Sequence, residues 1–226
     1  MKRRVQIDVS LVGVAIILTI IFWRLPQAYF TNELCDNIFD FLGLFLILEG
    51  TMSRMAARGH KKKFSEQSKQ LVTTGPYRLV RNPMYLGSFL IGLGFAFIVW
   101  PWWIIPLFVW TFLWRFNKQI SKEEDFLSKT FGQEYETYCQ NVPPLFPALQ
   151  NLNFDPRELI NKQELLSTKE KFGLIAWPLL AVVFETLQET AIFKISDLRQ
   201  TIVIFLSAIL VYAIGFIIMS KTIEMD

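Results

Sequence analysis

The chain has 226 residues, 52% of them hydrophobic and 15% aromatic, with a mean hydropathy of +0.33, which excludes an ordinary soluble domain. Its formal net charge of +3 is small, but lysines and arginines gather at 2–4, 54–81 and 115–122, beside apolar runs. That is the positive-inside pattern of a membrane protein, and it argues against reading Lys61-Lys62-Lys63 as a nucleic-acid site.

A membrane-crossing helix needs about 20 mostly apolar residues. Val9 to Trp23 supplies the core of a first span; nothing resembling a small-residue cleavage site follows it at Trp23-Arg24-Leu25-Pro26, so it reads as a retained span. A short polar connection, Pro26 to Asp36, leads to a second span with its core at Ile38 to Met52, and Arg54 to Gly75 reads as a cytoplasmic loop. Met84 to Trp100 is a third span and Trp102 to Trp114 a short fourth, with Pro101 between them forcing a tight hairpin. Trp100, Trp102 and Trp103 form an aromatic belt at the far interface. Ser88, Gly92 and Ala96 recur every four residues, a spacing that lets helices approach closely in lipid.

Residues 115–171 are polar, and Lys118 to Tyr138 reads as an amphipathic helix on the cytoplasmic side. Two apolar runs follow: Phe172 to Leu187, interrupted by Pro178 and Glu185, and Ile202 to Met219. The fold expected is an all-α membrane protein, a multi-span transmembrane helical bundle of five to six spans with a cytoplasmic amphipathic helix. Six is preferred, because Glu189, Lys194, Asp197 and Arg199 make an outer loop. The expected organisation is a membrane core at 1–147, a cytoplasmic or interfacial linker at 148–171 and an additional hairpin of two spans at 172–226.

Polar residues in these spans carry further expectations. Asp40 and Glu49 are nine residues apart on the second span, so they face different sides and cannot pair; Glu49, near the cytoplasmic end, is expected to orient a basic residue. Cys35 and Cys139 fall on opposite sides of the membrane, which argues against a disulfide. His60 is the only histidine, which excludes a multi-histidine metal site and leaves a solvated loop residue as its reading.

The most informative segment is Gly75-Pro76-Tyr77-Arg78-Leu79-Val80-Arg81-Asn82-Pro83-Met84-Tyr85-Leu86-Gly87. Pro76 and Pro83 push the residues before them out of helical geometry, and two arginines stand where a helix enters lipid, placed for phosphate or carboxylate. A second block follows: Glu123-Glu124, then Phe131-Gly132-Gln133-Glu134-Tyr135, Tyr138 and Val142-Pro143. Together, blocks 69–87 and 115–147 resemble the signature of the integral-membrane methyltransferases that include isoprenylcysteine carboxyl methyltransferase and the phospholipid methyltransferases. Asn82 stands where that family most often has histidine, so the position lacks a titratable ring.

The resemblance implies an S-adenosyl-L-methionine-dependent enzyme acting on a lipidic or amphipathic acceptor, with a prenylcysteine-like carboxylate and a lipid headgroup amine as leading classes. By the same resemblance the donor pocket is lined by Lys69, Gln70, Leu71, Val72, Tyr77, Asn82, Pro83, Met84, Tyr85 and Glu123; Arg81 is suited to the donor's carboxylate or a lipid phosphate, and the basic bias puts the pocket on the cytoplasmic side. Gln119 occupies a substrate-contacting position that is usually arginine, and Lys118 and Arg115 stand nearby as substitutes. Methyl transfer requires alignment and exclusion of water more than a covalent nucleophile, so no catalytic triad and no metal is expected. Two other readings remain: a non-enzymatic membrane protein that binds lipid or a partner through its basic loop, and a nicotinamide-dependent membrane reductase without a glycine-rich fingerprint.

Overall fold

A computed structural model describes residues 16–29, 32–67, 70–147, 162–192, 194 and 198–222. Helices and short 3-10 turns carry the architecture, with no strand among the described residues. In chain order the helices are α1 (residues 16–22), α2 (Glu33–Gln67), α3 (Pro83–Val99), α4 (Ile105–Phe131), α5 (Gln133–Asn141), α6 (Lys162–Leu166), α7 (Gly173–Ile192) and α8 (Leu198–Thr222). The start of the expected first span lies outside the described residues.

Two expected boundaries are corrected. The basic stretch after Met52 is helix through Gln67, not loop. At 1.5 Å per residue the 35-residue α2 is about 52 Å long, well beyond a hydrocarbon core of about 30 Å. Helix persists there because the stretch contains no proline and has a buried face: Met55, Ala56, Ala57 and His60 are all buried. The fourth span and the amphipathic helix are likewise one rod, α4. It stops where Gly132 takes φ +53°, a conformation that favours glycine, and α5 begins at once.

The α2–α3 contact is glycine-based, but not on the predicted stripe. A Cβ on Gly94 would meet the carbonyl oxygen of Gly43, and one on Gly87 that of Gly50. Each partner sits seven residues further along its own helix, which is the spacing of an antiparallel pair in close contact. Of the predicted stripe, Gly92 faces Phe108 on α4 and Ser88 bonds Arg54.

Around the Gly43–Gly94 contact, Leu44, Ile47 and Leu48 of α2 pack with Ile98 and Val99 of α3, Ala181 of α7 and Phe205 and Ala208 of α8. Lys169–Ile192 and Leu198–Gly215 are long and apolar enough to cross a membrane, and α3 is a shorter apolar helix. Ile175, Leu179, Leu206 and Leu210 point outward from α7 and α8, as lipid-facing side chains do. Pro178 sits inside α7 without ending it.

Acids of α2 also find partners other than those expected. Glu49 accepts a hydrogen bond from Tyr212 of α8 at 3.1 Å instead of orienting a basic residue. Asp36, Asp40 and Glu185 bring one carboxylate oxygen each within 4.8 Å of the others. Cys35 and Cys139 are free thiols.

Candidate active site

The two sequence blocks fold against each other through named bonds. Pro83 opens α3 at its first turn, where a missing N–H is harmless, and Asn82 before it takes φ −124° and ψ 59°, outside helical geometry. The Arg81 backbone N–H donates to the Pro143 carbonyl at 2.9 Å. Its guanidinium donates to both Glu124 oxygens, at 3.0 and 3.4 Å, and to the Cys139 carbonyl at 3.0 Å. Asn82 donates through Nδ2 to Glu124 at 3.3 Å and to the Pro144 carbonyl at 3.0 Å. The Tyr138 hydroxyl donates to the Tyr77 carbonyl at 2.6 Å. Under these bonds Tyr135, Tyr138 and Val142 form a small core with Leu71, Leu127 and Phe131 packed on it.

Gly75 makes the approach possible. It has φ +60°, and the His60 ring occupies the space a Cβ would need. His60 is 7% exposed, with Glu164 Oε2 3.0 Å from Nδ1 and Thr74 Oγ1 2.9 Å from Nε2. The solvated-loop expectation for this histidine is therefore wrong: α2 continues as helix and the segments around Thr74 and Glu164 cover the ring.

The joined blocks and the C-terminal half of α2 line a cavity of about 770 Å³, within the usual size range for small-molecule sites. Of the residues predicted for donor or acceptor, Gln70, Leu71, Val72, Tyr77, Arg81, Asn82, Pro83, Met84, Tyr85, Arg115, Gln119 and Glu123 all line it. Lys69 lies outside the described residues. Glu123 joins the blocks: its Oε1 accepts from the Tyr85 hydroxyl at 2.6 Å and from Gln119 Nε2 at 2.9 Å. Tyr85 in turn stands edge-on to Phe116, with ring centroids 5.3 Å apart. Glu124, one residue further on the helix, points about 100° away and holds the framework instead.

Sequence reasoning missed Arg54, Arg58 and Lys61, which also line the cavity. Their spacing of four and three residues places them on one helical face, a signal that existed once the stretch was read as helix. Burial pushes the Tyr77 hydroxyl above its ordinary pKa, with nearby Arg58 opposing and Glu123 adding to the rise. Burial also raises Tyr138, reinforced by Tyr77 and Tyr135. Both therefore stay neutral donors well past physiological pH.

Most of the residues named for the cavity fall within a match to a known family. The sequence model of the phospholipid methyltransferase family matches residues 39–134. A probable protein-S-isoprenylcysteine O-methyltransferase of Oryza sativa subsp. indica is 32% identical over 140 residues, covering 56% of this chain and 71% of that protein. The protein-S-isoprenylcysteine O-methyltransferase of Schizosaccharomyces pombe is 38% identical over 81 residues, 34% of each chain. That of Saccharomyces cerevisiae is 30% identical over 122 residues, 50% of this chain and 51% of the other. No solved structure matches the chain. With both signature blocks folded into one cavity and the rice relative covered over most of its length, the chain belongs to the membrane methyltransferase family that includes isoprenylcysteine carboxyl methyltransferase and the phospholipid methyltransferases.

Proposed function

We propose that this protein methylates the carboxylate of a prenylcysteine-like lipidic acceptor with S-adenosyl-L-methionine as donor, in the cavity between α2, α3 and α4. The observation that carries the reading is the 2.6 Å bond from Tyr85 to Glu123, which ties the two blocks into one cavity wall. The residues present fit the donor. Glu123 offers a carboxylate for hydroxyl or amino groups, Tyr85 and Phe116 offer aromatic faces for a sulfonium, and the arginines offer forks for a carboxylate. When bound, the donor supplies an activated methyl group whose transfer breaks a C–S bond and forms a C–O bond.

The lining favours an acid over an amine as acceptor. Arg58, Lys61 and Arg115 face the cavity beside Arg54 and Arg81, which Glu170 and Glu124 hold, and among the described lining residues Glu123 is the one carboxylate. An acceptor carboxylate is already ionised at neutral pH, whereas an amine with a pKa near 10 must first lose a proton. No histidine lines the cavity, because Asn82 replaces it in the motif and His60 is turned toward Glu164 and Thr74. The chain's own part is to hold, orient and exclude water.

One observation favours the second acceptor class, a lipid headgroup amine: the matching family model is that of phospholipid methyltransferases. The spans and the orientation belong to the same proposal. Six crossings put the cavity, the inner half of α2 and the polar half of α4 on the cytoplasmic side, where the basic bias lies. The test is transfer of a labelled methyl from S-adenosylmethionine to a farnesylated cysteine and, in parallel, to phosphatidylethanolamine. Label on the farnesylcysteine as a base-labile ester supports the reading; label on the amine alone moves it to the second class, and label on neither defeats it.

A further inference from the structure

Glu164 and Glu170 lie beyond the family match, which ends at residue 134, yet both reach the cavity-bearing helix. α6 sits directly on α2: the Glu164 carbonyl fills the space of a Cβ on Gly59, and Leu165 is buried with Met55 and Ala56. Glu164 bonds His60 and Lys63, each at 3.0 Å. Glu170 takes Nε and Nη2 of Arg54, both at 3.1 Å, and Nη1 of Arg58 at 2.6 Å. His60 and Lys63 do not line the cavity; Arg54 and Arg58 do.

The two arginines are used differently. Arg54 gives two nitrogens to Glu170 and the third to Ser88 on α3, so it is spent on the framework. Arg58 gives Glu170 one nitrogen and its side chain is 49% exposed. A guanidinium has five N–H donors in a fork that matches a carboxylate. Two cations against one carboxylate also leave the group net positive, ready for a second anion.

We infer that Arg58 is the residue that binds the acceptor's carboxylate, and that Glu170, from a segment outside the family match, is its positioning residue, with Arg54 as the strut between them. This rests on the reading of the cavity as a methyl-transfer site. Glu170 fixes the direction of the Arg58 fork, so its loss should loosen acceptor binding while leaving donor binding intact.

The test uses the full chain in detergent, with N-acetyl-S-farnesylcysteine and its neutral carboxamide as probes of acceptor binding by tryptophan fluorescence. Wild type should bind the carboxylate about tenfold more tightly than the carboxamide, the scale of one charge-assisted hydrogen bond. Arg58→Gln and Glu170→Gln should erase that preference with affinity for S-adenosylhomocysteine unchanged, and Glu170→Asp should restore most of it. Glu164→Gln, which loosens the same segment through residues outside the cavity, should keep the preference. Equal binding of the two probes by wild type, an unchanged preference in Arg58→Gln, or equal loss in Glu164→Gln and Glu170→Gln would overturn the inference. Because these are binding measurements, a wild type that discriminates the probes but transfers no methyl group would defeat the proposed function and leave this subsite standing.

Discussion

Glu123 and Glu124 are adjacent in the chain and separate in role. Glu123 faces the cavity with Tyr85 and Gln119, while Glu124 pairs with Arg81, whose side chain is only 13% exposed. Glu123→Gln is predicted to weaken donor binding by about 1.5–3 kcal/mol with little effect on melting, whereas Glu124→Gln should cost stability, by about 1–3 kcal/mol for the stranded Arg81. Isothermal titration and thermal denaturation on the two variants separate these outcomes; equal donor-affinity losses would contradict them. A pH prediction follows from Tyr77 and Tyr138, whose pKa values are raised by burial. A raised folded-state pKa means that their contribution to stability is complete below the unfolded value of about 10 and is lost as pH rises past it toward the folded value. The melting temperature should therefore fall above about pH 10, and less steeply in Tyr138→Phe, which also gives up the bond to the Tyr77 carbonyl.

At the scale of elements, the glycines of α2 and α3 set how closely the helices approach. Gly94→Ala and Gly87→Ala place a methyl against the Gly43 and Gly50 carbonyls, and over-packing of this kind costs about 1–3 kcal/mol. Gly215→Ala on α8, where nothing lies within 4 Å, is the neutral control. Melting curves of the three variants decide it; a Gly94→Ala protein as stable as Gly215→Ala would remove the close-contact account. The element scale is also where sequence reading stopped short. The apolar run ending at Met52 carries no sign that the helix goes on, since lysine and arginine are good helix formers and suit either state. What holds residues 53–67 helical is tertiary: Leu165 on Met55, Glu164 on His60 and Glu170 on Arg54. Those contacts come from about a hundred residues away, which is why Arg54, Arg58 and Lys61 escaped notice while Tyr85 and Glu123, fixed by motif spacing, did not. Asn82 was legible as a departure from the motif, but its tether to Pro144 was not, because that needs the loop's conformation.

For the whole molecule, the proposed orientation, with the cavity on the cytoplasmic side, rests on the bias of lysine and arginine. In a Cys35→Ser, Cys139→Ser background, single cysteines at Ser65 and Ser128 should both resist an impermeant thiol reagent in intact cells and react after permeabilisation. Labelling of both in intact cells would reverse the orientation. The central claim, that residues from two separate blocks hold one donor, is tested most directly by titrating the purified full chain with S-adenosylhomocysteine in a calorimeter, alongside Glu123→Gln and Tyr85→Ala. Saturable wild-type binding is predicted, weakened in Glu123→Gln by about 1.5–3 kcal/mol, or roughly 10- to 150-fold, and weakened in Tyr85→Ala as well. No saturable binding by wild type, or wild-type affinity in both variants with their folds intact, would contradict it.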